Sequence, residues 1–116
     1  MPICEPWDVV RVPFPYVDRP TLQHRPALVI APDDTADAHA LIWVAMITSA
    51  THHRWPGDMP VSDLRQAGLP IASIVRPAKL ATIEADTAER IGTLPAADRS
   101  AVARYLHNRL RAVLGG

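Results

Sequence analysis

The sequence predicts a mainly β fold, a small and partly open β-barrel with one helix packed on it at the C-terminal end. Three observations carry this. Short apolar runs, each about the length of one strand, recur along the chain and are separated by clusters of Pro, Gly, Asp and Ser. Twelve of the 116 residues are proline, about double the usual share. Proline breaks helix interiors and central strands, so short strands and ordered loops are favoured over a helix bundle. Only the last stretch of the chain places apolar residues at helical spacing.

The elements follow in order. Asp8 to Phe14 reads as a strand, with Val10, Val12 and Phe14 on one face and Val9, Arg11 and Pro13 on the other. Pro13 places it at a sheet edge or near its own end. A long loop follows from Pro15 to Arg25, punctuated by Pro15, Asp18 and Pro20. Pro26 to Ala31 is a continuous apolar run, as expected of a strand buried on both faces. After a polar loop from Pro32 to His39, Leu41 to Thr48 is the second such run and the expected central strand. Ser49 to Gly57 is a loop rich in His, Arg and Trp, and Asp58 to Val61 is a short strand. Ser62 is placed to cap a single helical turn through Gln66, with Gly68 just past its end. Ser73 to Arg76 and Lys79 to Glu84 are two short strand segments interrupted by Pro77, and Glu89 to Thr93 is one more. From Pro95 onward Val102, Leu106, Leu110 and Val113/Leu114 form one helical stripe, with Arg99, Arg104, Asn108 and Arg111 on other faces. Pro95 suits a first turn, and Gly115-Gly116 ends the element. There is no internal repeat, so residues 1–116 are read as a single domain.

Composition narrows the classes. Apolar residues make up 48% and charged residues 21%, which is globular rather than disordered. The formal net charge is zero, so any grip on nucleic acid must come from local clusters of arginine. The single cysteine, Cys4, excludes an intramolecular disulfide and a Cys-based zinc cage, and suits a reducing cytoplasm. The longest apolar run, Ala40 to Ile47, falls well short of the ~20 residues that cross a bilayer. The start, Met-Pro-Ile-Cys-Glu, lacks the basic and apolar parts of a signal peptide. A cytoplasmic protein without membrane association is the expectation.

Candidate chemistry lies at strand ends, where function concentrates. Arg25 ends a loop and starts a buried strand, Thr48-Ser49 ends the central strand, and Arg76 ends a short strand just after Ser73. The planar fork of arginine donates two parallel hydrogen bonds to phosphate. Such groups suit cleavage of an RNA phosphodiester by its own 2′-hydroxyl, in which negative charge builds on a five-coordinate phosphorus and fixed donors lower the barrier. No metal or other cofactor is required by that chemistry. Taken singly, each residue has a plain structural reading: Arg25 as a solvated strand start, Thr48-Ser49 and Arg76 as ordinary strand ends. His52-His53 does not read as a metal site, since neighbouring histidines in a strand face opposite ways and no acid or thiol stands at useful spacing. Solvated loop and RNA contact stay open for them. Trp55 beside Arg54 suits either base stacking or a buried loop anchor.

Together these segments resemble the MazF/PemK/Kid family of type II toxins. "WDVVRVPFPYVD" looks like the family's opening strand and loop, "HRPALVI" is similar to its second strand, and "VAMITSA" resembles its third strand with a terminal threonine or serine. "GDMPV", "AGLP", "SIVRPAKLATIE" and "RIGTLPAADRSAVARYL" follow in the family's order. The resemblance implies an SH3-like barrel, a homodimer, and a groove across it for single-stranded RNA. It implies sequence-selective, metal-independent cleavage leaving a cyclic phosphate and a 5′-hydroxyl, and neutralisation by a cognate antitoxin whose C-terminal segment fills the groove. By position Arg25 matches the catalytic arginine and Thr48 the catalytic threonine, and Arg76 stands where Kid-type members place a second functional arginine. Arg76, Ser49, Ser73, His24, Arg19, Arg54 and Trp55 are the expected substrate-binding residues, with no metal ligand among them. Two departures stand out. A family glycine before the first-strand Asp is Trp7, and the Kid-type catalytic aspartate two residues after the second arginine is Ala78. That leaves the base open, with His24, His52 and His53 as candidates. Two alternatives follow. One is a barrel toxin of the CcdB gyrase-poison type, which would bind a protein through the C-terminal helix. The other is a degenerate relative that only binds antitoxin, suggested by Ala78 and the zero net charge.

Overall fold

The computed structural model describes residues 4–15, 22–32 and 40–115. The chain runs through β1 (Asp8–Pro15), β2 (Leu22–Ala31), β3 (Leu41–Ser49), β4 (Met59–Pro60), α1 (Leu64–Ala67), β5 (Ser73–Glu84), a 3-10 turn (Ala85–Thr87), β6 (Glu89–Thr93) and α2 (Ala96–Leu114). All strand pairs are antiparallel and form one curled sheet in the order β4-β5-β3-β2-β1-β6. This is the half-closed barrel with a C-terminal helix that the sequence predicts.

The continuous apolar runs have a simple cause, because the sheet is buried on both faces over most of their length, with Leu41 and Trp43 of β3 as exposed exceptions. Side chains alternate along a strand, so Val9, Leu28, Ala45 and Ile47 pack into one cluster with Leu94 and with Val102 of α2. Val10, Val12, Ala27, Val29, Ile42 and Val44 pack into a second cluster, with Cys4 and Ala85. A register slip of one residue would exchange the two faces.

Prolines sit where a missing N–H costs little. β1 pairs with β6 only through Asp8 to Arg11, so Pro13 has a strand neighbour on one side. β1 is therefore internal at its start and an edge only further on. Pro77 does not interrupt β5. The register against β3 jumps from Met46↔Arg76 to Ala45↔Leu80, and residues 77–79 fall in that bulge. The two segments expected on either side of Pro77 are one strand, and Arg76 lies within it rather than at its end. β2 likewise begins at Leu22, before the apolar run that signals it.

Two further differences concern the helices. The cap of α1 is Asp63, whose side chain accepts from Gln66 N at 3.1 Å, not Ser62. Ser62 instead gives both its N–H and its hydroxyl to the buried Asp98 of α2, at 2.9 and 3.1 Å. In α2, Val102 is buried and Leu106 packs against the core, but the stripe runs out into solvent at Val113, 84% exposed, and Leu114. Trp7 takes the left-handed conformation that a glycine adopts freely, with φ +75°. It is held there by Trp7 N to Val29 O at 3.0 Å, by Leu94 N to Trp7 O at 2.9 Å, and by Arg99 lying over the indole.

Gly68 closes α1 with φ +74°, and a Cβ there would meet Ile91 O of β6 at 2.0 Å. Gly68→Ala therefore combines a left-handed backbone with a backbone clash. It is expected to lower unfolding free energy by more than ~1 kcal/mol in a urea titration; a midpoint unchanged from wild type would refute the close approach.

Candidate functional site

The β2–β3 register pairs Ala27 with Met46. Two residues further along each strand bring Arg25 and Thr48 to the same end of the sheet. On the other side of β3, Thr48 faces Ile74 and Ser49 faces Ser73 of β5. A cleft of about 260 Å³ opens there, lined by Arg11, His24, Arg25, Thr48, Ser49, His52 and Ser73 and walled by Ile47, Leu69, Pro70, Ile71 and Ile91. Five of the sequence-predicted residues thus meet in one place: His24, Arg25, Thr48, Ser49 and Ser73.

Their states differ. Thr48 and Ser73 are buried, Arg25 is half-buried, and His24 is exposed. The Ser73 hydroxyl donates to Ile71 O at 2.8 Å, which shapes the wall. Ser49 Oγ lies 2.9 Å from Thr51 Oγ1 and accepts from Thr51 N. The Thr48 hydroxyl meets His52 Nδ1 at 2.6 Å. His52 returns to the strand end because Ser49 O accepts His52 N at 3.1 Å, closing a tight turn.

Arg76, Arg54 and Trp55 are not brought into the cleft. The Arg76 guanidinium is buried, its side chain 8% exposed, against an Asp58 side chain only 1% exposed. Arg76 Nε donates to Asp58 Oδ1 at 3.1 Å, and its NH2 group donates to Asp58 Oδ2 at 2.9 Å and to His53 O at 2.6 Å. The Trp55 ring covers it, with the guanidinium carbon 4.3 Å from the ring centroid. Asp58 Oδ2 also accepts Trp55 N at 2.8 Å. Trp55 is thus a loop anchor that keeps 40% of its surface exposed. Arg54 is exposed on the same loop. The whole loop presses on α2 at Gly57, where a Cβ would meet the Tyr105 ring at 2.4 Å. Arg19 lies outside the described residues.

Two residues of the site carry weaker sequence signals. Arg11 lines the cleft from β1, opposite Pro26, with an exposed 3.6 Å contact to Glu89 that holds it loosely. Its signal was a charge inside an apolar strand. Asp58 is the carboxylate that meets the second arginine, though it comes from 18 residues upstream rather than from position 78. Cys4 is buried, and burial followed by the Asp8 charge pushes its thiol pKa up, away from nucleophilic use. Among the described residues no three His, Cys, Asp or Glu side chains are grouped so as to hold a metal ion. No helix among them is long and apolar enough to cross a membrane.

A sequence model of PemK-like, MazF-like toxins of type II toxin-antitoxin systems matches residues 5–110. Among solved structures, MazF from Deinococcus radiodurans is similar with a TM-score of 0.70 and 19% identity over 92% of this chain and 96% of that one. An endoribonuclease in complex with its cognate antitoxin from a mycobacterial species gives 0.68 and 16% identity, covering 90% and 92%. The Mycobacterium tuberculosis toxin MazF-mt6 gives 0.64 and 23% identity, covering 89% and 96%. At these identities the likeness is one of fold. No curated protein matches the chain significantly.

The buried pair generates a stability prediction. Burial raises the Asp58 carboxyl, but the bonds from Arg76 and Trp55 N and the charges of Arg76 and Arg54 outweigh it and hold the pKa below the ordinary 3.8. The folded carboxyl is the stronger acid, so the pair's contribution is whole above pH ~4 and is lost as the pH falls below that value. Asp58→Ala, which leaves the guanidinium buried without its carboxylate, is expected to cost ~3–5 kcal/mol at pH 7. The gap between wild type and variant should narrow as thermal melts are taken below pH 4. A gap independent of pH would contradict the assignment.

Proposed function

This chain belongs to the PemK-like, MazF-like toxins of type II toxin-antitoxin systems, and from that premise we propose that it is an endoribonuclease. It cuts single-stranded RNA at selected sequences, without a metal, and so arrests translation and growth. The observation that carries the proposal is the convergence of Arg25 and Thr48 in one cleft beside Ser49, Ser73 and His24. The substrate's own 2′-hydroxyl is the nucleophile, which restricts the reaction to RNA. Arg25 faces the charge that develops on the phosphorus and leaving oxygen, and Thr48 contacts the attacking oxygen. Arginine stays protonated in proteins, so Arg25 serves as charge stabiliser and not as base. The products are a cyclic phosphate and a 5′-hydroxyl.

The partners follow from the same reading. MazF from D. radiodurans is solved together with MazE, and the mycobacterial relative with its own antitoxin. A cognate antitoxin whose C-terminal segment occupies the cleft is the expected regulator here, and a homodimer in the cytoplasm the expected working form. Arg76 acts in this scheme from below the surface, by holding the loop between β3 and β4, rather than by touching RNA.

Purified, antitoxin-free protein is expected to cut single-stranded RNA in the presence of EDTA. Arg25→Ala should lower the rate by a factor of about 10²–10³ with an unchanged melting temperature. Mapping RNA 5′ ends after expression of both proteins gives the cleavage motif, and the ends should carry 5′-hydroxyls. Wild-type protein that cuts no RNA of any sequence would sink the proposal.

A further inference from the structure

Neither Arg25 nor the Thr48 hydroxyl is a base at neutral pH, and Ala78 supplies no carboxylate. The cleft nevertheless contains an imidazole in contact with the threonine. His52 Nδ1 lies 2.6 Å from Thr48 Oγ1, and the ring lines the cleft. The loop backbone is fixed on both sides of it. Before it, Ser49 O accepts His52 N at 3.1 Å and Ala50 N donates to Ala72 O at 2.9 Å. After it, His53 O accepts the buried Arg76 guanidinium at 2.6 Å. His52 is exposed at the rim of the cleft, but its backbone is tied on both sides and its ring is oriented by the contact with Thr48.

We infer that His52 is the proton acceptor of the reaction, acting on the 2′-hydroxyl through Thr48; the inference rests on the ribonuclease reading above. In the resting tautomer the proton is on Nε2, and Nδ1 accepts the Thr48 O–H. When RNA is bound, the 2′-hydroxyl gives its proton to Thr48 Oγ1 as Thr48 gives its own to Nδ1. The 2′-oxygen forms its bond to phosphorus and the bond from phosphorus to the 5′-oxygen breaks. The departing 5′-oxygen, facing Arg25, takes a proton from water, and the imidazolium returns its proton to solvent. Four proton transfers accompany the exchange of one P–O bond for another, the net result moves one proton from the 2′-oxygen to the 5′-oxygen, and nothing is oxidised or reduced. The burial of Asp58 and Arg76 then has a catalytic consequence, since Arg76, oriented by Asp58, donates to His53 O and so fixes the neighbour of the base.

The other charged or titratable groups lining the cleft are Arg11 from β1 and His24 and Arg25 from β2. Of these only His24 carries a second imidazole, so His24→Gln is the control. The test is steady-state cleavage of a single-stranded RNA oligonucleotide by wild type, His52→Gln and His24→Gln, from pH 5 to 9. Glutamine keeps a polar side chain of similar length but cannot take the proton. His52→Gln is expected to keep its melting temperature and its KM within about twofold, while kcat falls by a factor of about 10²–10⁴ and the acidic limb of the kcat profile flattens. His24→Gln should retain that limb. Added imidazole should restore part of the rate to His52→Ala. Cleavage by His52→Gln at the wild-type rate with the wild-type profile overturns the inference and leaves the ribonuclease reading intact. So does a rise in KM alone, or loss of the acidic limb in His24→Gln instead. A wild type that cuts no RNA overturns both.

Discussion

Two charges that have left the water set the shape of the functional end of this molecule. Asp58 and Arg76 are both almost wholly buried, and each charge taken out of water costs several kcal/mol before it is paired. The cost is met only if every donor and acceptor finds its partner. Here the guanidinium has two carboxylate oxygens, a backbone carbonyl and an aromatic face. The carboxylate adds a backbone N–H. That degree of satisfaction is achieved in one arrangement of the β3–β4 loop. The pair is accordingly less a source of net stability than a reason for the loop to have a single conformation.

From that fixed loop the constraint spreads in two directions. Towards the helix, Gly57 lets the Tyr105 ring of α2 lie against the loop backbone at a distance no side chain permits. Towards the sheet, the same loop returns His52 to the end of β3, where Thr48 sits. The bulge in β5 contributes as well. By adding residues 77–79 between two registers of the β3–β5 pair, it re-aims the strand locally beside Arg76. Proline at position 77 costs little there, because a bulged residue has no ladder bond to lose.

How much of this was legible in the sequence depends on how local its cause is. The strands were legible because both faces are buried over most of their length, which makes Pro26 to Ala31 and Val44 to Thr48 read as unbroken apolar runs, to which the exposed Leu41 and Trp43 add. The bulge was not, because Pro77 carries the same signal whether it ends a strand or sits in an irregularity. Arg25 and Thr48 stood out singly as polar residues at the ends of different strands, so no periodicity joined them, and only the family resemblance paired them. The fate of Arg76 was hidden for a related reason. Its carboxylate was sought two residues downstream, at Ala78, while the fold supplies Asp58 from the preceding loop. His52 was one of two adjacent histidines with equal claims. Only the turn closed by Ser49 O separates them, directing the His52 ring to Thr48 and the His53 carbonyl to Arg76.

The same division resolves what the zero net charge seemed to argue against a nucleic-acid ligand. Net charge is a sum over the whole chain, whereas a phosphate responds to the field at one place. Three acidic residues are spent inside the structure: Asp8 on Glu5 N and Arg90, Asp58 on Arg76, and Asp98 on Ser62. Among the described residues the cleft lining holds Arg11, Arg25, His24 and His52 and no carboxylate. Two of those acids are matched by Arg76 and Arg90, so the local field is set by the lining itself, which is positive in a neutral protein. Such a field extends only about a Debye length, ~10 Å at moderate salt. Its reach is limited to an anionic ligand already near the cleft. That range suits the proposed endoribonuclease, whose selectivity would come from what it contacts, since a long-range positive field would bind any RNA alike.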